Sequence, residues 1–100
     1  MAAIDTAMAL SMVKTRLNRL QTDTSLDEYL RLRILAAISE AENIGIDLDT
    51  CGPDGLMYLI DYTVWAYQNR DEPGGMPDWL RLRRRELWLR TAARKGGDAS

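Results

Sequence analysis

The chain has 100 residues and a mass of 11.3 kDa, which corresponds to one small domain. It contains no histidine and a single cysteine, Cys51, so imidazole catalysis, histidine metal ligands, an internal disulfide and a CxxC zinc site are excluded. The net charge is −2, but it is unevenly distributed. Twelve acids and three arginines give residues 20–78 a charge of −9, whereas seven cations and one acid give residues 79–95 a charge of +6.

The first half of the chain predicts two helices. The first spans residues 6–20, where apolar side chains recur at helical spacing as far as Leu20. The second opens at a capping-box pattern, in which Ser25 caps the free amides and Glu28 reaches back to the cap nitrogen. Its core stripe is predicted to run to Ile44, and the glycine that follows predicts a left-handed stop.

The second half predicts two more helices and no strand. Residues 46–51 alternate like a strand but have no partner strand, so they are expected to form a connector. A proline is placed to begin each of the two helices, where its missing N–H costs nothing. The segments are a third helix over 53–69, a loop over 70–76, a fourth helix over 77–95 and a flexible tail over 96–100. We therefore expect an all-α, four-helix single domain over residues 1–100, ordered from 6 to 95, with a long loop between helices 3 and 4.

Two of these helices carry more apolar side chains than one buried face requires. On the second helix, Leu32 and Leu35 lie opposite the core stripe, either as scattered surface leucines or as a second contact surface. On the third, Tyr58, Tyr62 and Trp65 form an aromatic face beside the aliphatic one. A helix that is apolar nearly all round must be covered nearly all round. These five residues are predicted to be core or subunit interface.

The fourth helix has two candidate surfaces. Its core stripe is predicted at helical spacing, with two leucines beside it: Trp79, Leu82, Glu86, Leu89 and Ala93, flanked by Leu80 and Leu87. Trp88 points the other way, among Arg81, Arg84 and Arg85. This group is either an exposed cation–π pair of Arg84 with Trp88 or a partner-binding anchor, since tryptophan and arginine dominate interface hot spots.

A longer pattern spans the third and fourth helices. It combines an aromatic stretch, a glycine-containing loop and a Met-Pro turn: Tyr62, Tyr67, Arg70, Met76, Pro77, Leu80 and Arg81. This pattern, with the order of the four segments over about residues 7–90, resembles the head–tail connector (head-completion, adaptor) proteins of long-tailed double-stranded DNA bacteriophages.

That resemblance implies an all-α virion protein with no catalysis and no cofactor. Members of this family form a ring, commonly of twelve copies, beneath the portal at the capsid vertex. The ring extends the DNA channel, and double-stranded DNA passes through it without specific binding. It also provides a platform for the stopper or tail-completion protein. The C-terminal region is placed against the portal, which implies that Arg81, Arg84, Arg85 and Trp88 bind the portal.

The loop after the third helix is expected to tighten on assembly. Its two glycines and its proline predict mobility, and mobile loops commonly carry function. The predicted assembly loop comprises Arg70, Asp71, Glu72, Pro73, Gly74, Gly75 and Met76.

Two other classes of function remain as alternatives. A small DNA-binding regulator would use the arginines of the fourth helix as a recognition helix, although the acidic pI of about 5.0 is unusual for a nucleic-acid binder. An enzyme would have to use Asp47 and Asp49, which can hold magnesium, but no base, nucleophile or phosphate cradle accompanies them. No export signal or membrane span is expected, because the N-terminal apolar run is short. The predicted location is the virion, after synthesis in the host cytoplasm.

Overall fold

The structure, a computed structural model, describes residues 4–72 and 74–99, with side chains as far as Arg94. Within these residues the chain forms four α-helices and a 3₁₀ turn, and no strand. The helices are α1 (Thr6–Arg16), α2 (Asp27–Asn43), α3 (Gly52–Gln68) and α4 (Asp78–Ala99), and the turn is Leu48–Thr50. The predicted all-α, four-helix architecture is confirmed, as is the long connection between the third and fourth helices.

The start of α2 and the end of α1 differ from the predictions. α1 ends at Arg16 instead of continuing to Leu20, because Asn18 adopts a left-handed conformation with φ 60°, which asparagine tolerates better than most residues. The capping box is wrong as well. The Ser25 hydroxyl donates to Asp23 Oδ1 at 2.7 Å in a local turn, and α2 begins at Asp27 without a side-chain cap.

The other boundaries follow the glycine and proline signals more closely. Gly45 has φ +94° and ends α2, and Pro53 lies in the first turn of α3. α4 continues to Ala99, beyond the predicted end at Lys95, because glycine weakens a helix by about 1 kcal/mol without breaking it. Of the segments predicted to be mobile, Pro73 and the terminal Ser100 lie outside the described residues.

α3 is the central element of the fold and packs against α1, α2 and α4. Its side chains Leu59 and Ile60 are fully buried, and so are Leu30 and Ile34 of α2. The connector adds Ile46 and Leu48 to the same core instead of forming a strand. Leu20 and Ile44, which the periodicity assigned to the core, are exposed because the helices end before or at those positions.

The face of α4 that packs against the core is opposite to the face that the sequence predicted. Leu80 and Leu87 are buried against α3 together with Thr91, whereas Trp79, Leu82 and Leu89 are 53%, 61% and 49% exposed. Both sets repeat every three or four residues, so periodicity did not distinguish them. The Thr91 hydroxyl accepts from the Asp47 N–H at 3.3 Å and lies 3.9 Å from Cys51 Sγ, which ties α4 to the connector.

The closest packing around the connector occurs at Gly55. A Cβ at this position would lie 2.6 Å from the Leu48 carbonyl oxygen and 3.0 Å from Cys51 Cβ. Because the obstructing oxygen belongs to the backbone, we expect Gly55→Ala to lower the free energy of unfolding by about 1–3 kcal/mol in urea titrations. Gly75→Ala is the control, since nothing lies within 4 Å of that position. Equal stability of the two variants would contradict this packing.

Candidate partner-binding groove

A concave surface lies between the solvent side of α4 and the end of α2. This groove has a volume of about 810 Å³ and is lined by Ile44, Asp78, Arg81, Leu82, Arg84, Arg85, Trp88 and Leu89. The structure therefore brings together all four residues predicted to bind the portal. The apolar floor consists of a tryptophan, two leucines and an isoleucine, and the basic groups stand around it.

Gly45 positions the tryptophan of the groove. The glycine ends α2 in a left-handed conformation, and the Nε1 atom of Trp88 is 3.3 Å from the place that a Cβ on Gly45 would occupy. The absence of a side chain there lets the indole lie against the end of α2. One residue thus terminates a helix and shapes the wall of the groove.

The groove carries positive charge that the described chain does not neutralise. Arg81 pairs with Asp78 within the same helix turn. Among the described residues, neither Arg84 nor Arg85 has a carboxylate within ion-pair distance, and no cation–π contact joins Arg84 to Trp88. The cation–π interpretation of this group is therefore wrong. Arg84 is half-buried and lines a small pocket with Glu40, Tyr58 and Tyr62, whereas Arg85 is exposed and available to an external anion.

The aromatic face of α3 lies next to the groove but belongs to the body of the protein. The rings of Tyr58 and Tyr62 stack with centroids 5.9 Å apart, and Trp65 follows at the same distance from Tyr62. Tyr58 is buried, while the other two are half-buried and packed against the core. Tyr62 donates its hydroxyl proton to Glu40 Oε2 at 2.9 Å, which joins α3 to α2.

This aromatic face predicts a loss of stability at high pH. Burial, followed by the hydrogen bond to Glu40, raises the pKa of Tyr62 from 10.0 to about 12. In the unfolded chain the phenol ionises first, so its contribution is complete below pH 10 and is lost as the pH rises toward 12. Between pH 10 and pH 12 we expect the free energy of unfolding to fall less for Tyr62→Phe than for the wild type. Urea unfolding at several pH values across this interval gives the measurement. Parallel pH profiles would contradict the half-buried phenol and its hydrogen bond to Glu40.

The remaining predicted site residues lie apart from the groove. Leu32 and Leu35 are exposed on the outer side of α2. At one end of the predicted assembly loop, the Arg70 guanidinium lies 4.2 Å from the centroid of the Tyr67 ring. At the other end, Met76 is half-buried against the core. The described positions between them are exposed.

Sequence reasoning missed part of the groove. Leu82 and Leu89 were assigned to the core, and Ile44 was expected to be buried at the end of α2. The available signal was that α4 carries apolar side chains on opposite sides, which one buried face does not require.

The structure also bears on the alternatives. Asp49 Oδ1 accepts the Ile4 N–H at 2.9 Å, a role in local structure. Among the described residues, no three Asp, Glu or Cys side chains are placed to hold a metal ion. No helix in the part of the chain that the structure describes is long and apolar enough to cross a membrane.

Comparisons with known proteins give no relative for this chain. No protein-family model, curated protein or solved structure matches it.

Proposed function

We propose that this protein is a structural adaptor of the head–tail connector type. In this proposal, copies form a ring beneath the portal of a long-tailed double-stranded DNA phage, extend the DNA channel and provide a platform for the stopper or tail-completion protein. The groove on α4 is the observation that carries the proposal, because it combines an apolar floor with uncompensated arginines on a helix that is attached by one side only. Tryptophan and arginine in such a setting are typical anchors of protein interfaces.

The proposal assigns each exposed surface a partner. The groove, with Arg81, Arg84, Arg85 and Trp88, docks on the portal. The outer side of α2, with exposed Leu32 and Leu35, is available to a neighbouring copy in the ring. The loop between α3 and α4 is available to the stopper or tail.

The charge distribution is compatible with a channel for DNA. Residues 20–78 carry an excess of nine negative charges, and phosphate binding depends on cations that neutralise it. An acidic wall lets a duplex pass without being held. A gel shift with duplex DNA at low salt separates this proposal from a DNA-binding regulator, which would bind strongly and release the duplex as salt is added.

The assembly itself is tested by light scattering coupled to size-exclusion chromatography. The purified protein is measured alone and with the portal protein of the same virus. We expect co-elution with the portal at the mass of a closed ring, and negative-stain images of a ring beneath it. Separate elution of the two proteins at every concentration tested would contradict the proposed function.

A further inference from the structure

The solvent side of α4 carries a heptad stripe that the body of the protein does not use. Its residues, which we call the outer stripe, alternate at spacings of three and four and are all exposed: Trp79, Leu82, Glu86, Leu89 and Ala93. This is the spacing of a coiled-coil seam. At a rise of 1.5 Å per residue the stripe is about 21 Å long, enough to receive a helix of three to four turns.

We propose that the outer stripe and the adjoining groove bind an acidic amphipathic helix of a partner protein. Its apolar side packs on Leu82 and Leu89, and its carboxylates face Arg85, which flanks the outer stripe and lines the groove. The inference rests on the proposed adaptor function, because the portal has to supply this helix.

The positive charge beside the outer stripe determines that the partner helix carries negative charge. Arg85 has no ion-pair partner among the described residues, although it lines the groove beside Leu82 and Leu89. Guanidinium groups bind carboxylates in a directed, often bidentate manner. A helix with glutamates beside its apolar stripe satisfies these donors, whereas a basic helix is repelled by them.

Another copy of α4 does not fit this surface. Arg83, Arg85 and Arg90 occupy positions that flank the outer stripe, so a second α4 in either orientation would set arginines against arginines. In a parallel pair, Glu86 would also face its own copy. Because like charges at these positions disfavour pairing, the stripe selects a different helix, one with a basic or neutral polar residue opposite Glu86.

Part of the negative charge of a second copy's acidic body is already engaged. Five of its acids are already engaged within the described chain, four with cations and one with a tyrosine hydroxyl: Asp23, Asp27, Asp54, Asp61 and Glu40. On α2, Arg31 is close in sequence to the exposed leucines, and the Arg31 guanidinium lies 3.6 Å from the Glu28 carboxylate. The anionic helix is therefore expected to come from another protein.

The test compares how tightly the surface binds two synthetic peptides of opposite charge. Both are dye-labelled three-heptad peptides with leucine at the core positions, one with glutamate and the other with lysine at the flanking positions. Fluorescence anisotropy with the full chain is expected to show about 10-fold or tighter binding of the glutamate peptide. Arg85→Glu abolishes this preference, whereas Arg94→Glu, the same charge change on an exposed residue of α4 outside the groove, retains it.

Three outcomes overturn the inference: equal binding of the two peptides, binding of neither, or self-association of the peptide-free chain that Arg85→Glu abolishes in light scattering. The last outcome would assign the surface to a second copy. A preference for glutamate without portal binding would refute the connector function and leave the acidic-helix site in place. Portal binding without the preference for glutamate would refute the acidic-helix site and leave the connector function in place.

Discussion

Replacement of Lys14 by alanine is expected to lower the free energy of unfolding by about 3–5 kcal/mol. The Lys14 side chain is almost completely buried, and its ammonium lies 2.9 Å from Asp27 Oδ1 and donates to the Gln21 carbonyl at 2.9 Å. Asp27 Oδ1 is buried and accepts no hydrogen bond among the described residues, so the Lys14 ammonium is the group that compensates its charge. Without the lysine, a buried carboxylate oxygen at the start of α2 loses its counter-charge, and the turn that joins α1 to α2 loses its anchor.

Urea unfolding of Lys14→Ala and Arg16→Ala gives the measurement and its control. Arg16 lies two residues further along α1 and pairs with Asp61, but its side chain is 43% exposed. Exposed ion pairs contribute about 0–1 kcal/mol, so Arg16→Ala is expected to remain near wild-type stability. A loss for Lys14→Ala no larger than for Arg16→Ala would show that the buried pair does not hold the α1–α2 connection.

The second large effect is expected in α4, from the same substitution at two positions on its opposite sides. Leu87 is fully buried against the core, and Leu89 is 49% exposed. Leu87→Ala is expected to lower the unfolding free energy by about 2–5 kcal/mol, whereas Leu89→Ala is expected to change it by about 0.5 kcal/mol or less. Thermal and urea unfolding of the two variants give the comparison. A larger loss of stability for Leu89→Ala than for Leu87→Ala would show that α4 buries the face that periodicity alone predicted.

The sequence predicted the fold wherever the signal was local. Gly45 at the end of α2 and Pro53 at the start of α3 act through their own backbone geometry, so no knowledge of neighbours was needed. The apolar stripe of α2 was identified from helical spacing, although the exposed Leu32 and Leu35 lie on the opposite side. The capping of α2 failed because Ser25 had a competing acceptor, Asp23, two residues earlier.

The candidate site was predicted in part. Arg81, Arg84, Arg85 and Trp88 were identified from their helical spacing and from the family resemblance, and the groove contains all of them. Its apolar floor was not identified, because α4 carries leucines on opposite sides and only the position of α3 determines which of them are buried. Gly45 acts through space on Trp88 across 43 positions of the chain, and sequence spacing holds no signal for such a contact.

The central claim is that the α4 groove docks this protein on the portal. Its most direct test is isothermal titration of the portal protein of the same virus with wild type, with the double variant Arg84→Glu Trp88→Ala, and with Arg94→Glu as control. Because loss of a hot-spot pair typically removes several kcal/mol of binding, the double variant is expected to remain helical by circular dichroism and to bind at least ~100-fold more weakly, while the control binds normally. Unchanged binding of the double variant would contradict the account.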